Sequence, residues 1–307
     1  MSFLSPHIAA RVFDTPLLVA DGKLAAILTG IGGRLVDGGV QADVASIRHI
    51  AFEDGRGSDV AMGRLGDRLG RVIEASGGRG FDMVDGVAVI AVEGTLVHKG
   101  AYVGQSSGQT SYQGLQAQIA RARRDPAVRA VVFEVDSHGG EAAGAFETAE
   151  MIFALSREKP TMAILTSHAN SGGYLLAAPC RQIVMPPEGT AGSIGALSVM
   201  IDARGRLEND GLKVSVLRSG KKKFDTHPAD PLETAAARLQ SMIDATRDQF
   251  ATAVGRYRGP RLSKAAALET EAEVFAGPAA LSRGLVDGLG HGNEAFDAFR
   301  KAVNRAG

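Results

Sequence analysis

From Val84 onward, runs of consecutive apolar residues alternate with stretches whose apolar positions recur at helical spacing. Val87-Ala88-Val89-Ile90-Ala91-Val92, Val128 to Val135, Thr161-Met162-Ala163-Ile164-Leu165-Thr166 and Gln182 to Met185 have strand length and few polar atoms. That is the pattern of strands covered on both faces. Between them, Tyr112 to Arg124 and Glu141 to Ser156 read as helices. Asp125-Pro126 stops the first, and the second carries Phe146, Ala149, Ile152 and Phe153 on one face. Glu93-Gly94 ends the first strand, and a polar, glycine-bearing loop runs from His98 to Thr110. A short buried helix from Tyr174 to Ala178 stops at Pro179. Leu197–Ile201 and Lys213–Leu217 are further strand candidates around a helix at Arg204–Asp210. Strands and helices alternating in this way predict an α/β fold, with a mostly parallel, βα-built sheet and right-handed crossovers. Ligands of such sheets bind at the carboxyl ends of the strands.

Past Pro231 the pattern becomes helical. Leu232 to Tyr257 is long and amphipathic, with Leu239, Met242, Ile243, Thr246, Phe250 and Val254 on one face, until Arg258-Gly259-Pro260 breaks it. Shorter helices follow at Lys264–Leu268, Pro278–Arg283 and Asn293–Arg305. Before Val84 the pattern is weaker. Apolar stretches near Pro16–Leu28 and Val44–Phe52 are joined by glycine-rich segments, and Val60 to Ala75 has helical spacing. The chain therefore divides into an N-terminal arm or extension over 1–80 and a βα core with a helical C-terminal part over 81–305. An arm, a pro-segment and an oligomer contact are all open readings of the first part.

Composition narrows the function classes. Thirty-four basic and 34 acidic residues cancel, so no global field argues for nucleic acid or acidic lipid as a partner. The single cysteine, Cys180, excludes an internal disulfide and reads as a buried structural thiol in a reducing compartment. No apolar run reaches the length of a membrane span, and the N-terminus lacks a basic region followed by an apolar one. The expectation is a cytoplasmic protein with no membrane partner and no cofactor or metal.

The candidate chemistry centres on Ala169-Asn170-Ser171-Gly172-Gly173-Tyr174, between an apolar strand and an apolar helix. A serine there meets unpaired N–H groups at a helix start, and the glycines admit close approach of a substrate backbone. Taken alone, the stretch favours a plainer reading, an N-cap and a turn. A nucleophile also needs a base and oxyanion donors. Ser137-His138-Gly139-Gly140 can supply backbone N–H groups, as can Gly172. For the base, the residues leave His168, His227 and the run Lys221-Lys222-Lys223 open; His138 lies in the oxyanion turn itself. A lysine serves only if desolvation favours its neutral form.

Four separated stretches resemble the signal peptide peptidase A family of Ser–Lys peptidases, which share the Clp/crotonase-type fold. They are Asp136-Ser137-His138-Gly139-Gly140, Asn170-Ser171-Gly172-Gly173-Tyr174, Gly192-Ser193-Ile194-Gly195 and Ser219-Gly220-Lys221-Lys222-Lys223. The resemblance implies Ser171 as nucleophile, Lys223 as base, Ser193 as the residue orienting the lysine amine, and Gly139, Gly140 and Gly172 as the oxyanion hole. Val92-Glu93-Gly94-Thr95-Leu96, Gly108-Gln109-Thr110-Ser111-Tyr112, Thr270-Glu271-Ala272 and Gly284-Leu285-Val286-Asp287 are similar to the phage and prophage branch, which cuts scaffold or capsid protein during head maturation. Single-repeat relatives bring the lysine to the serine of a neighbouring subunit, so the resemblance also implies a homo-oligomer with shared sites, in the host cytoplasm or the prohead. His138 stands where the family has proline. Against the family's pattern, the expectation is a protein without the membrane anchor and without a scaffold-fused C-terminal extension, so that any scaffold substrate is a separate chain. Three other readings are a signal-peptide-peptidase-like enzyme degrading peptides, a crotonase-type acyl-CoA hydratase or isomerase using Glu141 and Asp136, and a non-catalytic assembly factor. Labelling of Ser171 by a fluorophosphonate separates the peptidases from the rest.

Overall fold

The computed structural model describes residues 15–20, 78–99, 105–106 and 108–306. The expected helix over Val60 to Ala75 and the apolar stretch Val44–Phe52 lie outside them. Strands are β1 (Leu17–Val19), β2 (Asp82–Val84), β3 (Val87–Val97), β4 (Gln105–Ser106), β5 (Gln109–Ser111), β6 (Ala130–Glu141), β7 (Thr161–Asn170), β8 (Gln182–Met185), β9 (Thr190–Gly192), β10 (Val274–Ala276) and β11 (Gly288–Leu289). Helices are α1 (Tyr112–Arg124), α2 (Ala145–Glu158), α3 (Gly172–Ala177), α4 (Arg204–Asn209), α5 (Glu233–Arg258), α6 (Lys264–Glu269), α7 (Gly277–Ser282) and α8 (Gly292–Ala306). The architecture is the expected one, α/β with a mostly parallel core.

Strands β5, β3, β6 and β7 run parallel and adjacent. Their middles are apolar on both faces: Val87, Ala88, Ile90, Val92, Val131, Val132, Phe133, Val135, Ala163 and Leu165 are buried. Helices α1, α2 and α3 cover one face, joined by Phe250, Ala251 and Val254 of α5. On the other face, Val87, Ala130, Val132, Met162 and Ile164 pack with Phe296 and Phe299 of α8. Strand β7 is shared: its first half pairs with β8 and its second half, His168 to Asn170, with β9. Cys180 is buried, and burial pushes its thiol up to about 12, so it is an inert packing residue.

Four sequence expectations need correction. Strand β3 does not end at Glu93-Gly94; it continues to Val97 across a register shift between Glu93 and Thr95. Strand β6 likewise runs through Asp136-Ser137-His138-Gly139-Gly140, so those glycines belong to a strand. The continuation is possible because β3 supplies Thr95 and Leu96 as partners for Gly139 and Gly140. Lys213–Leu217 is not a strand, and of Leu197–Ile201 only Leu197 makes a bridge, to Leu17. Apolar spacing there found no sheet edge: Leu217 is 96% exposed, and Leu212 and Val214 are exposed too. Finally, the apolar stripe of α5 is buried only toward its ends, at Leu239 and from Phe250 on, while Met242 is exposed.

Candidate active site

Strand β7 delivers Ser171 to the C-terminal edge of the sheet, as the βα pattern requires. The turn from strand to helix is abrupt: Ser171 adopts φ 53°, ψ −120°, a conformation that non-glycine residues avoid. Its N–H donates to Gly192 O (2.8 Å) and its carbonyl accepts from Leu175 N (3.0 Å), which pins the turn from both sides. The side chain does not cap α3. The plainer N-cap reading therefore fails on geometry, and the hydroxyl is held in place by a strained backbone for some other use.

Ser193 is the counterpart of Ser171 one strand over. Asn170 is paired with Gly192, so Ser171 and Ser193 are the next residues on neighbouring strands. Ser193 also has positive φ, 54°, and its N–H donates to Glu273 O (2.9 Å). The turn supplying that carbonyl is itself left-handed at Glu271 and Ala272. A Cβ placed on Gly195 would stand 2.6 Å from the Ala272 methyl. Thr270-Glu271-Ala272 thus supports Gly192-Ser193-Ile194-Gly195 from behind.

The glycines converge on the same place. A Cβ on Gly139 would sit 1.9 Å from Leu18 O and 2.7 Å from Gly172 N, so only glycine fits this approach of β6 to the start of α3. Gly139 N–H donates to Ser137 Oγ (3.0 Å), which in turn donates to Gly94 O (2.7 Å). Tyr112 closes the wall behind Gly172; its buried hydroxyl donates to Glu141 O (2.9 Å), and burial pushes its ionisation far above the ordinary value. Gly173 packs against Ser137, where a Cβ would lie 2.6 Å from the Ser137 carbonyl oxygen. Gly173→Ala is accordingly expected to lose about 1–3 kcal/mol by overpacking backbone on backbone. Urea unfolding would read this as a lower midpoint with unchanged slope.

The histidines considered as bases are engaged elsewhere. His168 stacks on His138 with ring centroids 4.6 Å apart, and its Nδ1 is 2.8 Å from Thr190 Oγ1. Asn170 Nδ2 donates to that hydroxyl (3.0 Å), leaving the Thr190 proton free to go to His168. His227 Nδ1 accepts from Ala229 N (3.0 Å). Glu141 and Asp136 are occupied as well: a Glu141 carboxylate oxygen accepts from His98 N (2.9 Å), and one of Asp136 from His168 N (3.3 Å).

Lys223 lies on an exposed turn, where its N–H donates to Gly220 O (2.9 Å). Two ion pairs brace that turn. Arg218 Nη1 meets Asp230 at 2.6 Å, and Arg238 grips buried Asp225 with both Nε and Nη2. That second grip holds the Asp225 carboxyl below its usual range. Lys221 and Lys222 border a depression with Asp225 and Arg238, whereas Lys223 does not. The structure thus gathers Ser171, Ser193, Gly139, Gly140 and Gly172, and sets Lys223 apart on the surface. Thr190, the Glu273 carbonyl and β1 are parts of the site that sequence reasoning missed. Tyr112 was visible within a motif, but without a role.

A family model described as peptidase family S49 matches residues 154–305, a span that includes Ser171, Ser193 and Lys223. The chain is 32% identical over 299 residues to the head-tail preconnector protein GP5 of Enterobacteria phage P21, covering 97% of this chain and 58% of the relative. It is 31% identical over 303 residues to the capsid assembly protease C of Escherichia phage lambda, covering 97% and 66%. The chain spans less than two thirds of the length of either relative. Among solved structures, a lysine-to-alanine mutant of the 1510-N membrane-bound stomatin-specific protease with a substrate peptide is 16% identical. That likeness covers 69% of this chain and 78% of the other, with a TM-score of 0.43. Residues 154–305 thus match peptidase family S49, and its phage relatives align along 97% of the chain.

Proposed function

We propose that the chain is a serine endopeptidase with a Ser171–Lys223 dyad that processes scaffold or capsid protein during assembly of a phage head. The observation carrying this reading is the strained, uncapped Ser171 at the end of β7, beside Ser193 and against Gly139 and Gly172. Ser171 Oγ attacks the scissile carbonyl carbon and gives its proton to the neutral amine of Lys223. The oxyanion rests on the N–H groups of Gly172 and Gly140, because the Gly139 N–H is given to Ser137 Oγ. The C–N bond breaks as the lysine returns the proton to the leaving amine, and water then hydrolyses the acyl-enzyme. Ser193 orients the lysine.

The substrate class follows the printed function of the lambda relative, a capsid assembly protease. Among the described residues no helix is long and apolar enough to cross a membrane. This agrees with work in the host cytoplasm or the prohead. The shared-site arrangement is supported by the position of Lys223, exposed on a braced turn whose neighbourhood offers Leu212, Val214, Leu217 and Phe224 to another surface. A second copy that covers them would carry its lysine into this cleft.

Two results are expected. Lys223→Ala is inactive, whereas Lys221→Ala and Lys222→Ala keep most of their activity, because one amine serves the serine and its neighbours point elsewhere. Equal losses from all three substitutions would refute the assignment. Mixing Ser171→Ala with Lys223→Ala under subunit exchange restores part of the activity, because some interfaces then pair an intact serine with an intact lysine. Native mass spectrometry checks the exchange. Exchanged mixtures that stay inactive would place both groups in one chain.

A further inference from the structure

Strand β7 accompanies β6 as far as the pair Ser137–Ala169, then turns away into α3 at Ser171. Beyond that point β6 continues through Gly139, Gly140 and Glu141, with β3 on its other edge. The edge that β7 leaves runs directly beside the nucleophile. Open edges of this kind accept an extended peptide as an added strand.

In this protein that edge is taken. Strand β1 lies antiparallel along it, with Leu17 opposite Glu141, Leu18 opposite Gly140 and Val19 opposite Gly139. Ala20 N–H donates to His138 O (2.9 Å). Alternation along an antiparallel ladder makes Leu18 and Gly140 the next hydrogen-bonding pair. On the far side, Leu17 exchanges both bonds with Leu197, at 2.8 and 3.1 Å. The segment is therefore gripped from both edges, as a bound peptide would be. Its side chains are sunk as well: Leu17, Leu18, Val19 and Ala20 are 5, 0, 6 and 6% exposed. The Leu18 carbonyl oxygen lies against both Gly139 and Gly172, at 1.9 and 3.1 Å from where their Cβ atoms would stand. The strand thus runs beside two of the glycines assigned to the oxyanion hole.

We infer that Leu17–Ala20 is an intramolecular occupant of the peptide cleft, competing with substrate for the free edge of β6. The inference rests on the reading of Ser171 as a peptidase nucleophile, and it adds that the protein is held back until this strand leaves. It also describes what the cleft accepts: an extended chain with an aliphatic side chain at the position of Leu18.

The test uses the full chain as wild type, Leu18→Asp and Leu18→Ala, each checked for cooperative melting. A charge cannot stay at a fully buried site, so Leu18→Asp expels the strand, and the alanine variant loosens it without a charge. A fluorescent peptide with the sequence of Thr15–Ala20 should bind Leu18→Asp and not wild type, read by anisotropy. Fluorophosphonate labelling of Ser171 should be about tenfold faster or more in Leu18→Asp and intermediate in Leu18→Ala. KM for a short peptide should fall by a similar factor, with kcat unchanged. The added peptide should slow labelling of Leu18→Asp again. Equal peptide binding by wild type and both variants, or by none, would overturn the inference and make β1 an ordinary strand of the fold. So would wild type that cuts its own chain at this segment and no longer retains it. Peptide binding as expected with no labelling in any protein would instead sink the nucleophile reading and leave the occupancy standing.

Discussion

Ser171→Ala is expected to lower peptide cleavage by at least about 10⁴-fold while leaving the melting temperature within a degree or so of wild type. The two halves of that expectation have separate causes. Activity falls because, in the proposed mechanism, Oγ is the atom that forms the acyl bond, and neither Ser193 nor Ser137 can replace it. Ser193 is turned into its own left-handed position by Glu273 O, and Ser137 Oγ is committed to Gly94 O. Stability is kept because alanine retains Cβ, so the strain at φ 53° is unchanged, and because the hydroxyl caps nothing. Cleavage assays beside thermal melts test both halves. A Ser171→Ala protein that still cuts would end the Ser–Lys mechanism. One that is inactive only because it has unfolded would show that the hydroxyl is structural. His168→Ala should retain activity in the same assay, since that ring answers to Thr190 and His138.

Asp287→Asn is expected to destabilise the protein by about 3–5 kcal/mol, the largest loss foreseen for any isosteric change. Arg258 is fully buried, and its guanidinium donates to both oxygens of Asp287 and to Gly284 O. Asp287 also accepts from Ile183 N (2.8 Å) and from Arg261. The asparagine variant leaves a buried cation without its anion. Burial alone would raise the Asp287 carboxyl; the hydrogen bonds and charge of Arg258, with help from Ile183 N and Arg261, outweigh it and hold the group below the ordinary value. The sign of the pH dependence follows. A depressed carboxyl contributes stability that is present above its unfolded value and lost as pH falls through the folded one. Wild type should therefore lose stability on acidification below the usual carboxylate range, and Asp287→Asn should show a shallower slope there. Replacing both partners with apolar residues should cost less than Asp287→Asn alone. Denaturant melts at several pH values check all three statements. A single substitution with no cost would mean that water reaches Arg258.

Much of this was legible in the sequence where the deciding contacts are local. Helix α1 was placed at its true ends because Asp125-Pro126 stops it; Ser111 starts it by accepting from Gly114 N (3.0 Å). Strand β8 and the long helix α5 followed from uninterrupted apolar period in the same way. Reading failed where pairing is distant. Gly139-Gly140 has the composition of a turn, yet it is strand because Thr95 and Leu96 lie on one side and Leu17–Val19 on the other. Nothing near residue 17 points to residue 140. Lys213–Leu217 failed in the opposite sense: its pattern is that of a strand, but no edge is offered to it within the described residues. The serine was visible as a residue type at a strand end; its left-handed backbone was not, because that is imposed by Gly192 O across β9. Ser171 and Lys223 could be joined only by resemblance, since no spacing rule links a strand end to a surface turn.

Tyr174, three residues past the serine, sends its buried hydroxyl to Leu285 O (2.9 Å), 111 residues further along the chain. Leu285 is bracketed by Gly284, whose carbonyl accepts from Arg258, and by the segment leading to Asp287. The nucleophile helix and the chain's last quarter are thus fastened at one point. In hydrogen-exchange terms they are expected to behave as one cooperative unit, whose amides open together and with the same free energy. Loosening the C-terminal part would release α3 before the parallel strands open, so proteolysis or heat would remove the peptidase site while most of the sheet was still in place.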